Sequence, residues 1–482
     1  MLECSSTIEG APFSSGFTEI MKDAIHLNAS RVPVSRTVRI GKHPANGITR
    51  SVSAPKIAAV RIETVFTICI LVLSTGAFAN LFPGEQGLEH REEGILFAQI
   101  LWSLLYLVIL FLARKRILEF ARLTWQRKSL VVLLAWVGLS IVWSIDRRVT
   151  IRHFVALLFT SFIGVYFGIR YDLREQLRLI SIALGIVIVS SAVACLVFPQ
   201  YGIGAENPFD EPAWQGVLSA KNNLATLLVL AALILLIQFF RRIRPIPVVV
   251  GIILLFCMVF LTQAKTALVY FALAVVTFPF VRAFQRNPAR RRRIIVLGSL
   301  MFGGLASWAY LNWEAFVGYL GRDPGFTGRF VLWGLSFTWI RERPFLGHGY
   351  DAFWSDYYGP AADFRTASGW LVATHAHNGF INLWLDLGII GVLLFVVAFA
   401  LSYRSALKLA KTNDILDIWP IVFLTFLFVY SLTEIGFMSR NDLYWILFTS
   451  IVVGLHRQNT FVDKHEVSNW IPGKMPEKLL QT

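Results

Sequence analysis

The stretch "THAHN", Thr374 to Asn378, places His375, His377 and Asn378 immediately before a long apolar run that continues to Tyr403. An unperturbed imidazole titrates near pH 6.5, so either histidine can accept a proton at working pH. A second short block, "GHGY", brings His348 and Tyr350, so three of the nine histidines fall in one hydrophilic segment. The competing reading is an interfacial cap: Asn378 would satisfy free backbone N–H groups while the imidazoles rest among lipid headgroups.

Cationic residues supply the second half of the pattern. "WSIDRRVTIRHF" carries Arg147, Arg148 and Arg152; "SAKNN" carries Lys221, "TQAKT" Lys265 and "TGR" Arg329. Guanidinium groups bind phosphate and pyrophosphate in a bidentate fork, so a basic cluster beside a bilayer suits a lipid-linked pyrophosphate. Pairing with Asp146, Glu206, Asp210 or headgroups is the plainer alternative for any one of them. Among carboxylates, Asp386 and Glu434 stand inside apolar runs, where ionisable groups mark function by default. Asp386 is expected to pair with a basic residue of the outer cluster. The "FDEP" block, Phe209 to Pro212, is a weak candidate for a cation site, and no metal site is assigned.

The elements that must position these groups are membrane helices. Of 482 residues, 56% are hydrophobic and only 16% charged, with a mean hydropathy of +0.60. Apolar windows near the roughly 20 residues that cross a hydrocarbon core recur along the chain, and in lipid they must be helical. The expected fold is all-α, a polytopic membrane bundle of about twelve spans near residues 62–82, 95–113, 129–145, 153–169, 179–198, 223–240, 246–262, 267–281, 294–311, 379–402, 417–437 and 442–456. "LTQAKTALVY" is the place where a short hairpin loop would separate two of them.

Orientation follows from the basic residues, because short loops rich in Lys and Arg stay cytoplasmic. Segments 114–128, 170–178, 241–244, 286–293 and 403–411 hold twenty of them and all fall on one side. Both termini then face the cytoplasm, and Arg147, Arg148 and Arg152 lie against the trend. The net charge of +15 is explained by topology, so nucleic acid is not an expected partner. Four scattered cysteines form neither a disulfide framework nor a metal spacing.

Residues 1–60 read as a disordered cytoplasmic leader, with Met21 an alternative start; 61–457 as the membrane domain; and 458–482 as a cytoplasmic tail. The segment 312–377 is the large outer loop. Within it, Phe330, Trp333, Phe337 and Ile340 recur at helical spacing, and this face is expected to lie on the bilayer or on the tops of the spans.

These blocks resemble the O-antigen ligase and polymerase superfamily, and within it the ExoQ-like exopolysaccharide polymerases. The ligase signature is met by His377, Asn378, Gly388 and Gly391, and "WSIDRRVTIRH", "SAKNNLATL", "TGRFVLW" and "PFLGHGYDAFW" stand in the family's order. The resemblance implies about a dozen helices in the bacterial inner membrane, amphipathic helices in a large periplasmic loop, and a periplasmic active site. It implies transfer of a glycan from undecaprenyl pyrophosphate to an acceptor hydroxyl, with no cofactor, metal or nucleotide sugar. His377 matches the family's base, with His375 competing for the role. Arg147, Arg148, Lys221 and Arg329 match blocks that supply pyrophosphate-binding cations, and Arg152, Lys265, His348, Tyr350 and Asn378 join them as substrate-binding candidates. Membrane lipids, a flippase and a chain-length regulator are the implied partners. Polymerisation of exopolysaccharide repeat units is the leading reading; ligation to lipid A-core and transport of lipid-linked sugars are its rivals.

Overall fold

The computed structural model describes residues 54–78, 91–204, 212–241, 243, 245–311, 329–354, 375–412 and 414–468. The leader before residue 54, most of "FDEP", the tail after 468, and segments 312–328 and 355–374 of the large loop lie outside the described residues. The chain divides into two units, Met1–Thr67 and Ile68–Thr482, and apart from the start of α1 everything below concerns the second.

Its described residues are almost wholly helical. The helices are α1 (Ala54–Leu73), α2 (Arg91–Ala113), α3 (Ile117–Trp125), α4 (Lys128–Leu139), α5 (Arg147–Arg170), α6 (Leu173–Val197), α7 (Lys221–Phe240), α8 (Pro245–Leu261), α9 (Lys265–Arg286), α10 (Arg291–Leu311), α11 (Arg329–Glu342), α12 (Gly379–Leu409), α13 (Trp419–Tyr430) and α14 (Leu443–Ser468). The described β-structure is a two-residue antiparallel pair, β1 (Ile203–Gly204) with β2 (Ala213–Trp214).

Among the described residues, six helices are long and apolar enough to cross a membrane: α5, α6, α7, α9, α12 and Leu96–Ala113 of α2. A seventh is the pair α3 with Lys128–Val142, bent by 95° at the break between them, so the expected window 129–145 forms one arm of a bent pair. The break between α8 and α9 falls at Thr262–Ala264, where the hairpin was expected, with Gln263 at φ +53°. Exposed apolar residues such as Ile246, Leu254 and Phe260 give α8 an outward face suited to lipid.

Local sequence sets the starts of the helices around the site. Asp146 accepts from the Val149 amide at the head of α5, Asp172 and Glu175 form a capping box at α6, and Asn378 accepts from the Phe380 and Ile381 amides at α12. At the packed centre, Gly164 and Gly168 of α5 face α14. A Cβ at either would sit 2.5 Å from a carbonyl oxygen, of Ile446 or of Ser450, so only glycine permits this approach.

The connections at one end of the bundle are stitched together by backbone bonds: Phe78 to Val217, Leu443 to Ser74, Ile145 to His348, and Gly379 to Ser431. The sequence candidates gather at this end. The opposite end joins the basic connections, where Arg291 donates to Lys411 O and Gln285 to Asp414 O.

The buried face of α11 is Arg329, Leu332, Ser336 and Ile340, with Trp333 packed against the same core, whereas Phe330 and Phe337 are 42% and 41% exposed, so the expected stripe is divided between the packed face and an outward apolar one. In α12, Gly388 adopts φ +68° and ψ −179°, breaking the helix at the signature glycine. The carbonyls freed by that break accept from the His348 and Gly349 amides (to Leu385 and Asp386, 2.8 and 2.9 Å) and from Trp136 Nε1 (to Leu387, 3.2 Å). The Ile389 amide returns to Pro344 O at 2.9 Å. The "PFLGHG" loop therefore replaces the missing helical bonds.

Candidate functional site

The site is built where the α13–α14 connection crosses the start of α12. Gly379 N donates to Ser431 O at 2.8 Å and Asn378 Nδ2 to Leu432 O at 3.0 Å. These bonds carry Glu434 beneath the histidine pair. Glu434 Oε2 lies 3.1 Å from His377 Nδ1 and 3.5 Å from His375 Nε2, while its Oε1 accepts from Arg329 Nη2 at 2.8 Å. The two imidazole rings stand 4.1 Å apart. Between them, Ala376 is held by Trp333 Nε1 on its carbonyl, 2.9 Å, and its amide reaches Asn382 Oδ1 at 3.4 Å.

Electrostatics follow from this geometry. Burial would raise the Glu434 carboxyl, but His377, His375 and Arg329 outweigh it and hold the group well below the ordinary carboxylate range. Burial, with His375 alongside, pulls the His377 imidazole down to about 4 against the opposing pull of Glu434, whose charge Arg329 already answers. The ring is then neutral at neutral pH. An ionised carboxylate accepts only, so Nδ1 carries the proton and the lone pair sits on Nε2. That is the arrangement of a general base oriented by a carboxylate. His377 also adopts φ +47°, a left-handed conformation costing a non-glycine residue about 1–3 kcal/mol and concentrated at functional positions.

His375, His377 and Glu434 are also the described residues whose donor atoms, within 4.8 Å of one another, could hold a metal. Their two shorter separations suit a tetrahedral shell, in which bonds of about 2.0–2.1 Å put donors near 3.3 Å apart. Arg329 already occupies the second oxygen of the same carboxylate, so a cation there would meet one in place.

The remaining candidates fall elsewhere. His348 leaves the histidine group: it is buried, Nδ1 lies 3.1 Å from Leu385 O, and the ring packs on Phe353 and Trp339, so it belongs to the brace of the α12 break. Tyr350 is buried and donates to Met438 O at 2.5 Å, a role in holding the loop. Asn378 is the helix cap described above. Lys221 and Lys265 begin α7 and α9, half-buried at the same end of the bundle. Arg147 donates to Val142 O at 3.0 Å, and Arg147, Arg148 and Arg152 are exposed along the first turns of α5. Asp386 has no basic partner among the described residues: Oδ2 accepts from Asn382 Nδ2 at 3.1 Å and Oδ1 accepts nothing. Among the described cations, Arg329 is bonded to the histidine–glutamate group.

Sequence reasoning noted Glu434 as a buried carboxylate without joining it to His377, 57 residues away. It missed Asp351 and Arg440, which meet beside His153. The available signal was an arginine in "MSRND" in an outer connection, against the charge trend.

Comparison with known proteins bears on this geometry. Residues 250–396 match the O-Antigen ligase family model. The matched stretch runs from α8 through the break in α12 and contains Arg329, His348 and His377. The chain is also 25% identical, over 171 residues, to the exopolysaccharide production protein ExoQ of Rhizobium meliloti (strain 1021). That alignment covers 34% of this chain and 39% of the relative, so the chain spans well under half of the relative it matches. Both agree with the resemblance read from the motifs. They support a multi-pass membrane protein of the polymerase or ligase type.

Proposed function

We propose that the protein is a membrane glycosyltransferase that extends an exopolysaccharide, moving the growing glycan from one undecaprenyl pyrophosphate carrier onto the hydroxyl of a second lipid-linked repeat unit. The His377–Glu434–Arg329 group carries the proposal, because it presents an oriented, neutral imidazole at the mouth of a membrane helix. The acceptor O–H attacks the anomeric carbon, the C–O bond to the pyrophosphate breaks, and the leaving group takes the electron pair. His377 Nε2 takes the proton while Glu434 holds Nδ1–H. Such a base contributes typically about 10²–10⁴-fold. Lys221, Lys265 and the exposed arginines of α5 supply cations for the pyrophosphate, and Arg329 answers the charge of Glu434 without a metal. In this reading the span count is about twelve, and the end of the bundle carrying the site faces the periplasm of the bacterial inner membrane.

Ligation to lipid A-core uses the same donor chemistry and is favoured by the description of the matched family. Purified protein given synthetic lipid-linked repeat units, with and without lipid A-core, separates the two. A ladder of longer lipid-linked glycans without the core acceptor is the expected result. Transfer only when the core is present decides for ligation, and neither product overturns both.

A further inference from the structure

A second imidazole–carboxylate–arginine group stands at the same end of the bundle. His153 Nδ1 lies 3.0 Å from Asp351 Oδ2, and Arg440 pairs with that same oxygen. Arg152 Nη2 lies 3.4 Å from His153 Nε2. The two groups share their elements: Glu434 and Arg440 lie on the α13–α14 connection, and Tyr350, next to Asp351, ties the other loop to that connection at Met438. Their chemistry differs. At the first group Arg329 is matched by Glu434. At the second, the donor from Arg152 covers the outer nitrogen of His153, which removes it as a base. Counting the start of α5, the guanidiniums of Arg147, Arg148, Arg152 and Arg440 outnumber the carboxylates of Asp146, Asp351 and Asp442. The side chain of Arg440 is 39% exposed, so this surplus is open to a ligand. Met438, Asn441 and Asp351 all hold positive φ, which fixes the connection around Arg440 in a conformation that relaxed backbone avoids.

We infer that Arg440 and Arg152 form a second anion site, which holds the phosphate groups of the second carrier lipid, the one bearing the acceptor sugar. This rests on the polymerisation reading, in which two lipid-linked substrates meet in one active site. Asp351 and His153 set the guanidiniums in place, and the bidentate fork suits adjacent phosphoryl oxygens.

The test is binding, which needs no turnover. Full-length protein in nanodiscs is loaded with sugar-free undecaprenyl pyrophosphate and the bound lipid counted by native mass spectrometry. Nanodiscs of phosphatidylcholine and of phosphatidylglycerol form the two arms, the second testing whether any anionic headgroup fills the site. Two carrier lipids per chain are expected for the wild type in both arms. Arg440→Gln should retain one and weaken the second at least tenfold. Asp351→Asn, which removes the carboxylate that sets Arg440 in place but keeps both guanidiniums, should retain two with the second weakened less than in Arg440→Gln. A wild-type count of one, an unchanged second affinity in Arg440→Gln, equal loss in both variants, or displacement by phosphatidylglycerol overturns the inference. If the two-lipid count holds while no ladder forms in the turnover assay, the polymerisation reading fails and the anion site stands.

Discussion

Burial leaves His377 neutral down to about pH 4, and this fixes what the residue does as pH falls. A base with an ordinary imidazole pKa would lose activity through pH 6.5, whereas this one stays unprotonated until the solution nears pH 4. The acid limb of kcat/KM is therefore expected well below 6, and a midpoint at 6.5 would place the base elsewhere. The sign for stability agrees: the unfolded chain takes up this proton first, so folding weakens as pH falls from about 6.5 towards 4 and not as it rises. Glu434→Gln makes a sharper test. An amide can donate to Nδ1 and move the ring proton to Nε2, and the equivalent exchange in a catalytic triad costs about 10⁴-fold. A loss of at least about 10²-fold in kcat with little change in KM is expected, and unchanged kcat would remove Glu434 from the mechanism. His377 and His375 were visible in the sequence because imidazoles before an apolar run are conspicuous. Their partners were not, since Arg329 and Glu434 lie 105 residues apart and meet through the packing of α11 and the α13–α14 connection about the start of α12. Asp386 misled for a related reason. A carboxylate in an apolar helix suggests a cation, yet its partner is an amide one turn away in the same helix. Asp386→Asn should accordingly change thermal stability by less than about 1 kcal/mol, the scale of a replacement that breaks no ion pair.

Among the elements, the break in α12 organises the site end. Gly388 lies against the Phe345 carbonyl, where an added Cβ would stand 2.1 Å from the oxygen, at a positive φ that L side chains rarely adopt. Gly388→Ala should therefore lower the melting temperature in detergent and reduce activity together, because the "PFLGHG" loop and the break brace each other. A variant with wild-type melting and rate would show that the break does not position the site. The hydropathy pattern places α12 well but cannot show its break, since the apolar run continues through Gly388 without a polar interruption. At α11 the aromatic spacing marked an apolar face without dividing it: Ile340 and Trp333 join the core, while Phe330 and Phe337 point outward. Periodicity reports where apolar residues recur, not which of them a neighbouring element covers.

At the scale of the whole molecule, the all-α membrane architecture was legible because backbone in lipid has so few options. The number of crossings was less so: among the described residues six helices pass by length and composition, seven with the bent pair, and shorter apolar helices such as Pro245–Leu261 and Leu443–Leu455 fall below the length. The orientation drawn from the basic loops gives a direct expectation. In a cysteine-free background, Arg341→Cys on α11 should react with a membrane-impermeant thiol reagent in cells whose outer membrane alone is opened. Lys411→Cys should react only after the inner membrane is breached, and the reverse pattern would put the site in the cytoplasm. The central claim concerns chemistry at His377, and turnover of synthetic lipid-linked repeat units by purified wild-type and His377→Ala protein tests it most directly. The account predicts a ladder of longer glycans for the wild type and none for the variant, with carrier-lipid binding intact in both. A full-rate ladder from His377→Ala would contradict it.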